Sequence, residues 1–563
     1  ATDLDFSQDV SLRLRLTNSA EMSSFYLGPS PARTERGSYI INGREQFLIA
    51  SLSPSPGIFF YREDESCIME VRPERGIAFR IRLEDKGDKC VSSASIFLLK
   101  PKKVGTGTLV RSLGIKKTDL IVYLKIENEF EEIVKDWFKN LNKEKRRNLY
   151  SMLYSFGVKA EEIYGKPESE LFELACKHLV GRNYLGPVGR MQANLRLKRI
   201  ASSLENGNCL TQKDVVAALN YLFKMYVNKE MPADERYDLS SLRCSLAGDY
   251  FRKAFNLFFA KLAHKTKIRL ERHKWKNGHP ATTEEFLSQL RSANCSVRNV
   301  DKGATASTSR TIFGDELKKI FTSSEWGFAR EVFEQNGLSY RSMVSRVMLL
   351  GPGFSKIGHD REARNLHWSH YGRICPIDTP HSDRVGLVLS FTPEVRIDPE
   401  LGTVKARYRK FDPSRFCILD DLAFYSSTDE LELYDKSGNE IWIAYAGQEA
   451  SLKKGNQVLA HRGPVHNRIT DPQQIGLVDC CLEQQSSIAA RMIPFNCHND
   501  QIRSSMGCNI MRQALSLKNS ETPLVLTGYE KEALRDKKEK SLPFDGVNLL
   551  HVYMPWKGYN FED

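Results

Sequence analysis

No two cysteines in this sequence stand at the C-x-x-C spacing; the twelve present are scattered, and the only close pair is Cys480 with Cys481. That pattern argues against a zinc ribbon or a thioredoxin-like redox site, and for reduced thiols in a cytosol-like compartment. No run of about 18 apolar residues occurs, and the opening "ATDLDFSQDV" has neither a basic nor an apolar leader region. The expectation is a cytoplasmic chain that neither spans a membrane nor is secreted. No H-E-x-x-H helix, internal repeat or pairing of nucleophile with base can be found, so a free-standing basic hydrolase has no support.

What is present is size and positive charge. The 563 residues, 41% of them apolar, are enough for several cores, because single cores rarely grow beyond about 250 to 300 residues. Lys and Arg number 82 against 70 Asp and Glu, a net charge of +12. The excess is interleaved with acids along the chain, which suits a folded cationic protein with a polyanionic partner better than a disordered basic tail.

Local patterning divides the chain. Residues 38–60, "SYIINGREQFLIASLSPSPGIFF", read as strand, Asn42-Gly43 turn, strand and a Pro/Gly corner. From about Asn128 to Trp275 apolar residues recur at three- and four-residue steps, as in "EEIVKDWFKNL", "DVVAALNYLFKMY" and "YFRKAFNLFFAKLAHKTKIRLER", the last with Asp249 as a candidate N-cap. Residues 297–311 are poor in large apolar side chains and read as a connection. Alternation returns from Val395 to about Asp479, with "KSGN" as a hairpin turn. The fold class is therefore α+β in several modules.

Two stretches carry the chemistry. In "LGPGFSKIGHDREARNLHWSHYGRICPIDTP", Leu350 to Pro380, His367 and His370 lack a third ligand at a familiar offset, which argues against a metal. Arg361, Arg364 and Arg373 are suited to phosphate, since guanidinium is always charged and offers two donors at once; Gly351, Pro352 and Gly353 would allow close backbone approach. In "IPFNCHNDQIRSSMGCNIMRQA", a helix starting at Asp500 puts Arg503 near Gly507 and Ile510, with Asn509, Arg512 and Gln513 on a different side. An amphipathic helix with a solvated face and a nucleotide site, with Arg503 on phosphates and amides on ribose hydroxyls, both remain open. The final "GVNLLHVYMPWKGYNFED" reads as a short β-like run with a packed aromatic cluster. Its tip, Glu562 and Asp563, is either a disordered acidic end or a help to a divalent ion held mainly by another chain, because two adjacent carboxylates supply too few oxygens for octahedral Mg2+.

Four segments in order, "TERGSYIINGREQFLIASLSPSPGIFF", "HWSHYGRICPIDTP", "IPFNCHND...RSSMGCNIMRQA" and "MPWKGYNFED", together resemble the β subunit, the second-largest subunit, of bacterial-type multisubunit DNA-dependent RNA polymerases. Weaker similarity, as in "LVRSLG", "LTQKDVVAALNYLF" and "DLSSLR", fills much of the rest. The resemblance implies a multi-domain β-subunit architecture. The protrusion would be built from 1–59 and 271–330, the lobe from 60–270 and the fork region from 331–400. A β-rich connecting region, 401–480, and the N-terminal part of the hybrid-binding, active-centre domain, 481–563, would follow.

It further implies that Arg503 contacts the triphosphate of the incoming nucleotide, with Asp500 and Asn509 in the same wall, Arg512 beside them and Gln513 near the RNA 3′ end. Arg346, Arg364 and Arg373 would contact nucleic acid, Arg373 in a loop lining the cavity beside the RNA–DNA hybrid. Glu562 and Asp563 resemble the family's acidic pair, whose aspartate lies close to the second, nucleotide-borne Mg2+.

The sequence also departs from the pattern. It has Pro380-His381-Ser382-Asp383-Arg384 where the family usually has "PEGPN", and Asn499-Asp500 where it has Asp-Asp. Met343 and Met348 replace the His and Ser of a rifampicin-susceptible pocket, so resistance to rifamycins is expected. Only about two dozen residues separate "TGYE" from "MPWKGYNFED", a pared-down spacing. No "DFDGD" triad, which in the family's β′ subunit binds the first Mg2+, is present, so the chain is expected to be active only in a complex. Expected partners are a C-terminal β fragment, β′-like subunits, a promoter-specificity factor, template DNA, the hybrid and NTPs. A β gene divided here, in so compact a chain, resembles the multisubunit polymerases of giant bacteriophages, with a plastid or an unusual bacterium as alternative source. The rival functional expectation is a catalytically degenerate β-like module for nucleic-acid binding or assembly.

Overall fold

The structure, a computed structural model, describes residues 7–15, 22–35, 37–86, 89–97, 101–118, 120, 128–139, 143–180, 183–198, 207–277, 282–294, 311–322, 329–331, 337–349, 362–382, 384–514, 517, 519–533 and 546–560. Helices and sheets are mixed, and the chain divides into two compact units. One comprises Ala1–Ser53, Cys244–Ile397 and Val404–Asp563, the other Pro54–Arg243 with Asp398–Thr403. No described helix is long and apolar enough to cross a membrane.

The second unit is built on a five-stranded antiparallel meander, Gly57–Glu63, Ser66–Arg72, Ala78–Lys86, Lys89–Phe97 and Pro101–Val104. Its period-two alternation separates two faces. Ile58, Phe60, Met69, Val71, Phe79 and Ile81 share one core with helix residues such as Val215, Leu219 and Leu222. The other face carries a cross-strand ladder in which Glu70 accepts from Arg72 at 2.7 Å and from Arg80 at 2.8 Å. Burial alone would raise the Glu70 carboxyl; Arg72 and Arg80 outweigh it and hold it down to about 2. The expected helix around "DVVAALNYLFKMY" runs Gln212–Val227, started by a capping box between Thr211 and Asp214.

The second unit's sheet begins with Gly57–Glu63, and the 31-residue helix Ala247–Asn277 belongs to the first unit. The reason is packing: Tyr250, Ala254, Phe258 and Leu262 on that helix share a core with Phe25, Leu27, Phe313 and Leu317. Asp249 is not its N-cap. It lies in the first turn, where its carboxylate reaches back to accept from the Leu246 N–H at 3.1 Å.

In the first unit, Asn42 and Gly43 both take positive φ, 53° and 74°, and close the hairpin between Tyr39–Ile41 and Arg44–Leu48. This is the mirror-image turn that matches strand twist. The strand Arg346–Leu349 runs parallel to Ala50–Pro54 and antiparallel to Val388–Ser390. The expected alternating region forms a further sheet in which Val404–Asp412 pairs with Cys417–Tyr425 and Ile475–Asp479, followed by Trp442–Ala444, Val458–Arg462 and Val465–Ile469. The "KSGN" turn closes through Asp435, whose carboxylate accepts from the N–H groups of Ser437 and Asn439, both at 2.8 Å.

Candidate functional site

The helix Gln501–Gln513 begins where Phe495, at φ 54°, turns the chain into a short 3-10 turn, Asn496–His498. Asp500 then caps it, its side chain accepting from the Arg503 N–H at 2.7 Å. Gly507 packs closely on Ile493: a Cβ there would sit 3.0 Å from its terminal Cδ1, which would have to give by a few tenths of an ångström. Ser504, Ser505, Cys508 and Arg512 are buried, while Ile502, Arg503, Ile510 and Gln513 face outward.

The inner side is bolted to the "PIDTP" loop. Arg512 pairs through Nη1 with the buried Asp378 and donates to Ser342 Oγ at 3.1 Å; its Nη2 donates to Asn509 Oδ1 at 2.6 Å. Asn509 Nδ2 and Ser505 Oγ both donate to the Thr379 carbonyl, at 3.2 and 2.7 Å. Ser487, which caps the short helix Ile488–Arg491, donates to the second Asp378 oxygen at 2.7 Å. Asp378 thus ties its own loop to Ser487 and Arg512, and Arg512 carries the network on to Ser342. Nearby, the fully enclosed Arg491 donates to Glu394 Oε1 at 2.8 Å and stacks 5.2 Å from the Tyr529 ring centroid.

Arg503 contrasts with this locked interior. Its backbone N–H is used by the cap, its Nη1 contacts Met506 Sδ at 4.0 Å, and no acidic side chain among the described residues pairs with it. An exposed guanidinium on a helix fixed from behind is a positioned, available cation, and its two donors match a phosphate.

The structure separates residues that the sequence grouped. Asn509 and Arg512 do meet, but they hold the loop, and Gln513 turns outward with Arg503. Asp500 serves as a helix cap. Arg373 is fully buried: it pairs with Glu430 and donates to the carbonyls of Tyr425 at 2.8 Å and Ser369 at 3.2 Å. Tyr408 donates to the same Glu430 at 2.6 Å. The expectation that Arg373 faces phosphate is corrected, because a desolvated guanidinium needs a carboxylate and carbonyls around it and here spends its donors on them. Arg364 is half-buried and donates to the Val385 carbonyl at 2.8 Å, and Arg346 is half-buried in its strand. His367 caps the turn Trp368–His370 by accepting from the Ser369 N–H at 3.2 Å.

Arg361, Gly351, Pro352, Gly353, Glu562 and Asp563 lie outside the described residues. The expected aromatic cluster before the acidic tip is not packed: Trp556 is 75% exposed and Tyr559 63%. Among the described residues no group of three His, Cys, Asp or Glu side chains could hold a metal ion. Sequence reasoning missed Asp378, Ser342, Glu394 and Arg491. Each is defined by a partner many residues away, and only a buried-ion accounting of "PIDTP" could have singled out Asp378.

Residues 333–397 match the family model described as RNA polymerase Rpb2, domain 3. Proteins named DNA-directed RNA polymerase subunit beta are similar along nearly the whole chain. That of Syntrophomonas wolfei is 25% identical over 95% of this chain and 45% of its own length. The Salinibacter ruber protein is 26% identical over 96% and 46%, and the Cyanidium caldarium protein 28% over 91% and 44%. The chain therefore spans less than half the length of the curated relatives it matches, and along that span it is similar to RNA polymerase β subunits.

Proposed function

We propose that this chain is the N-terminal half of the β subunit of a multisubunit DNA-dependent RNA polymerase. It forms one wall of the active cleft and contacts DNA, the RNA–DNA hybrid and the incoming NTP triphosphate. The observation that carries this reading is the outward-facing Arg503, which pairs with no acidic side chain among the described residues, on a helix whose Ser505, Asn509 and Arg512 are tied to the Asp378–Thr379 loop. Phosphoryl transfer is chiefly positioning plus neutralisation of charge on the transferring phosphate, which a fixed guanidinium supplies. In this reading Gln513, also exposed but ten residues further along the helix, lies near the RNA 3′ end.

In this reading Pro54–Arg243 corresponds to the lobe, the N-terminal strands with Ala247–Asn277 and Ile312–Thr322 to the protrusion, and 481–563 to the hybrid-binding floor. Mg2+ belongs to the reaction as a Lewis acid on the phosphates; its ligands come mainly from a β′-like partner, with Glu562 and Asp563 beside it. The remainder of β, β′-like chains and a promoter-specificity factor complete a cytoplasmic enzyme. The pared-down spacing between "TGYE" and "MPWKGYNFED" and the departures at Pro380–Arg384 favour a source among giant bacteriophages over a plastid or an unusual bacterium.

Purified with its companions, the complex should extend an RNA primer on template DNA, and omission of this chain should abolish extension. A second reading, a β-like module that binds or assembles but has lost the site, draws on the burial of Arg373 and Arg512, which removes two cations from any ligand. A complex that binds DNA yet extends no primer would favour it.

A further inference from the structure

Asp378 is buried, and both of its carboxylate oxygens are engaged, Oδ1 by Arg512 and Oδ2 by the Ser487 hydroxyl at 2.7 Å. From there the contacts run in a closed ring. Arg512 pairs with Asp378 through Nη1 and donates through Nη2 to Asn509 Oδ1 at 2.6 Å; Asn509 Nδ2 then donates to the carbonyls of Thr379 at 3.2 Å and Ser505 at 3.0 Å. Because a guanidinium can only donate, Arg512 dictates which way round the Asn509 amide stands. Thr379 closes the ring beside Asp378 and is itself tied down, its hydroxyl donating to the Val388 carbonyl and accepting from the Gly386 N–H, both at 2.9 Å. Ser505, Asn509 and Arg512, one face of the helix Gln501–Gln513, are thereby fastened to the sheet strand Val388–Ser390. Arg503 projects from the other side of the same helix, about 160° around from Ser505.

We propose, resting on the reading of Arg503 as a contact to the nucleotide phosphates, that Asp378 is a positioning residue for nucleotide use: through Arg512 and Asn509 it sets the rotation of the helix and so the place of the Arg503 guanidinium. Asp378 is enclosed and touches no nucleotide; it holds Arg512, and Arg512 orients Asn509. A small error is enough to matter. At the radius of about 5–6 Å that a helix reaches with its side chains, a rotation of about 10° carries the outer groups about 1 Å, and a displacement of about 1 Å can cost about a hundredfold in rate.

The test is primer extension by the assembled complex, read as kcat/KM for nucleotide, with the denaturant midpoint of the chain and DNA affinity measured alongside. Asp378→Asn alone strands a buried guanidinium and can fail to fold, so the informative variant is the pair Asp378→Asn, Arg512→Met. It leaves no buried charge, and stability should return to near that of the unmodified chain, yet Asn509 loses the donor that orients it. Nucleotide use should still fall about tenfold or more, with DNA affinity unchanged. Added to Arg503→Ala, the pair should cost nothing further, because its effect runs through that guanidinium. Should the pair lose stability instead, the half-buried Asn509→Ala carries the same two expectations. Nucleotide use restored together with stability would make the ring a matter of folding only and overturn the proposal; so would a loss that multiplies with that of Arg503→Ala. An unmodified complex that extends no primer, or an Arg503→Ala complex that uses nucleotide normally, would instead bring down the polymerase reading of Arg503, and the role of Asp378 with it.

Discussion

At the scale of single residues, arginines that look equivalent in sequence divide by what surrounds them. Arg373 lies among Glu430 and four carbonyls, whereas among the described residues the Arg503 guanidinium meets a thioether and no carboxylate. Removing Arg373 leaves a buried carboxylate without its counter-charge, a loss of about 3–5 kcal/mol. Arg373→Ala should therefore lower the denaturant midpoint of the chain, and a variant of unchanged stability that only binds DNA less well would return Arg373 to the phosphate. Met343 and Met348, both half-buried, carry a different prediction: the assembled enzyme should resist rifampicin, and tight inhibition would refute it. The types of these residues were legible in the sequence. Their partners were not, because Glu430 lies 57 residues from Arg373 and Asp378 lies 134 from Arg512, and no local pattern records such a pairing.

At the scale of elements, local rules were read well where local forces decide. Asn42-Gly43 closes its hairpin, "DVVAALNYLFKMY" is a capped helix, and the alternation after Val395 is a sheet. Such rules do not reach what tertiary packing decides. A periodic apolar face announces that Ala247–Asn277 is a helix but not which core receives it; it packs in the first unit, after the second closes at Arg243. The site helix depends on its cap. Asp500→Ala should cost about 1 kcal/mol of stability and fray the first turn that positions Arg503, seen as faster amide exchange at Arg503 and Ser504; unchanged exchange there would deny Asp500 this role.

At the scale of the whole molecule, charge organises the second unit through the Glu70 ladder. A carboxyl held at about 2, against 4.5 for an ordinary glutamate, contributes stability that is fully present above about pH 4.5 and is lost as pH falls toward 2, up to about 3 kcal/mol. Glu70→Gln should flatten that part of the acid-unfolding profile; an unchanged profile would mean that other groups set it. Net positive charge acts at the same scale: if the polymerase reading holds, DNA affinity of the complex should fall steeply with added salt, because phosphate contacts release counterions.

Arg503 as a phosphate contact is tested most directly by primer extension with the assembled complex carrying Arg503→Ala, with DNA affinity measured in parallel. Loss of a charge-assisted, two-donor contact should reduce kcat/KM for nucleotide by about ten- to a hundredfold while DNA affinity stays near that of the unmodified complex. Equal loss of both, or no loss of nucleotide use, would contradict it.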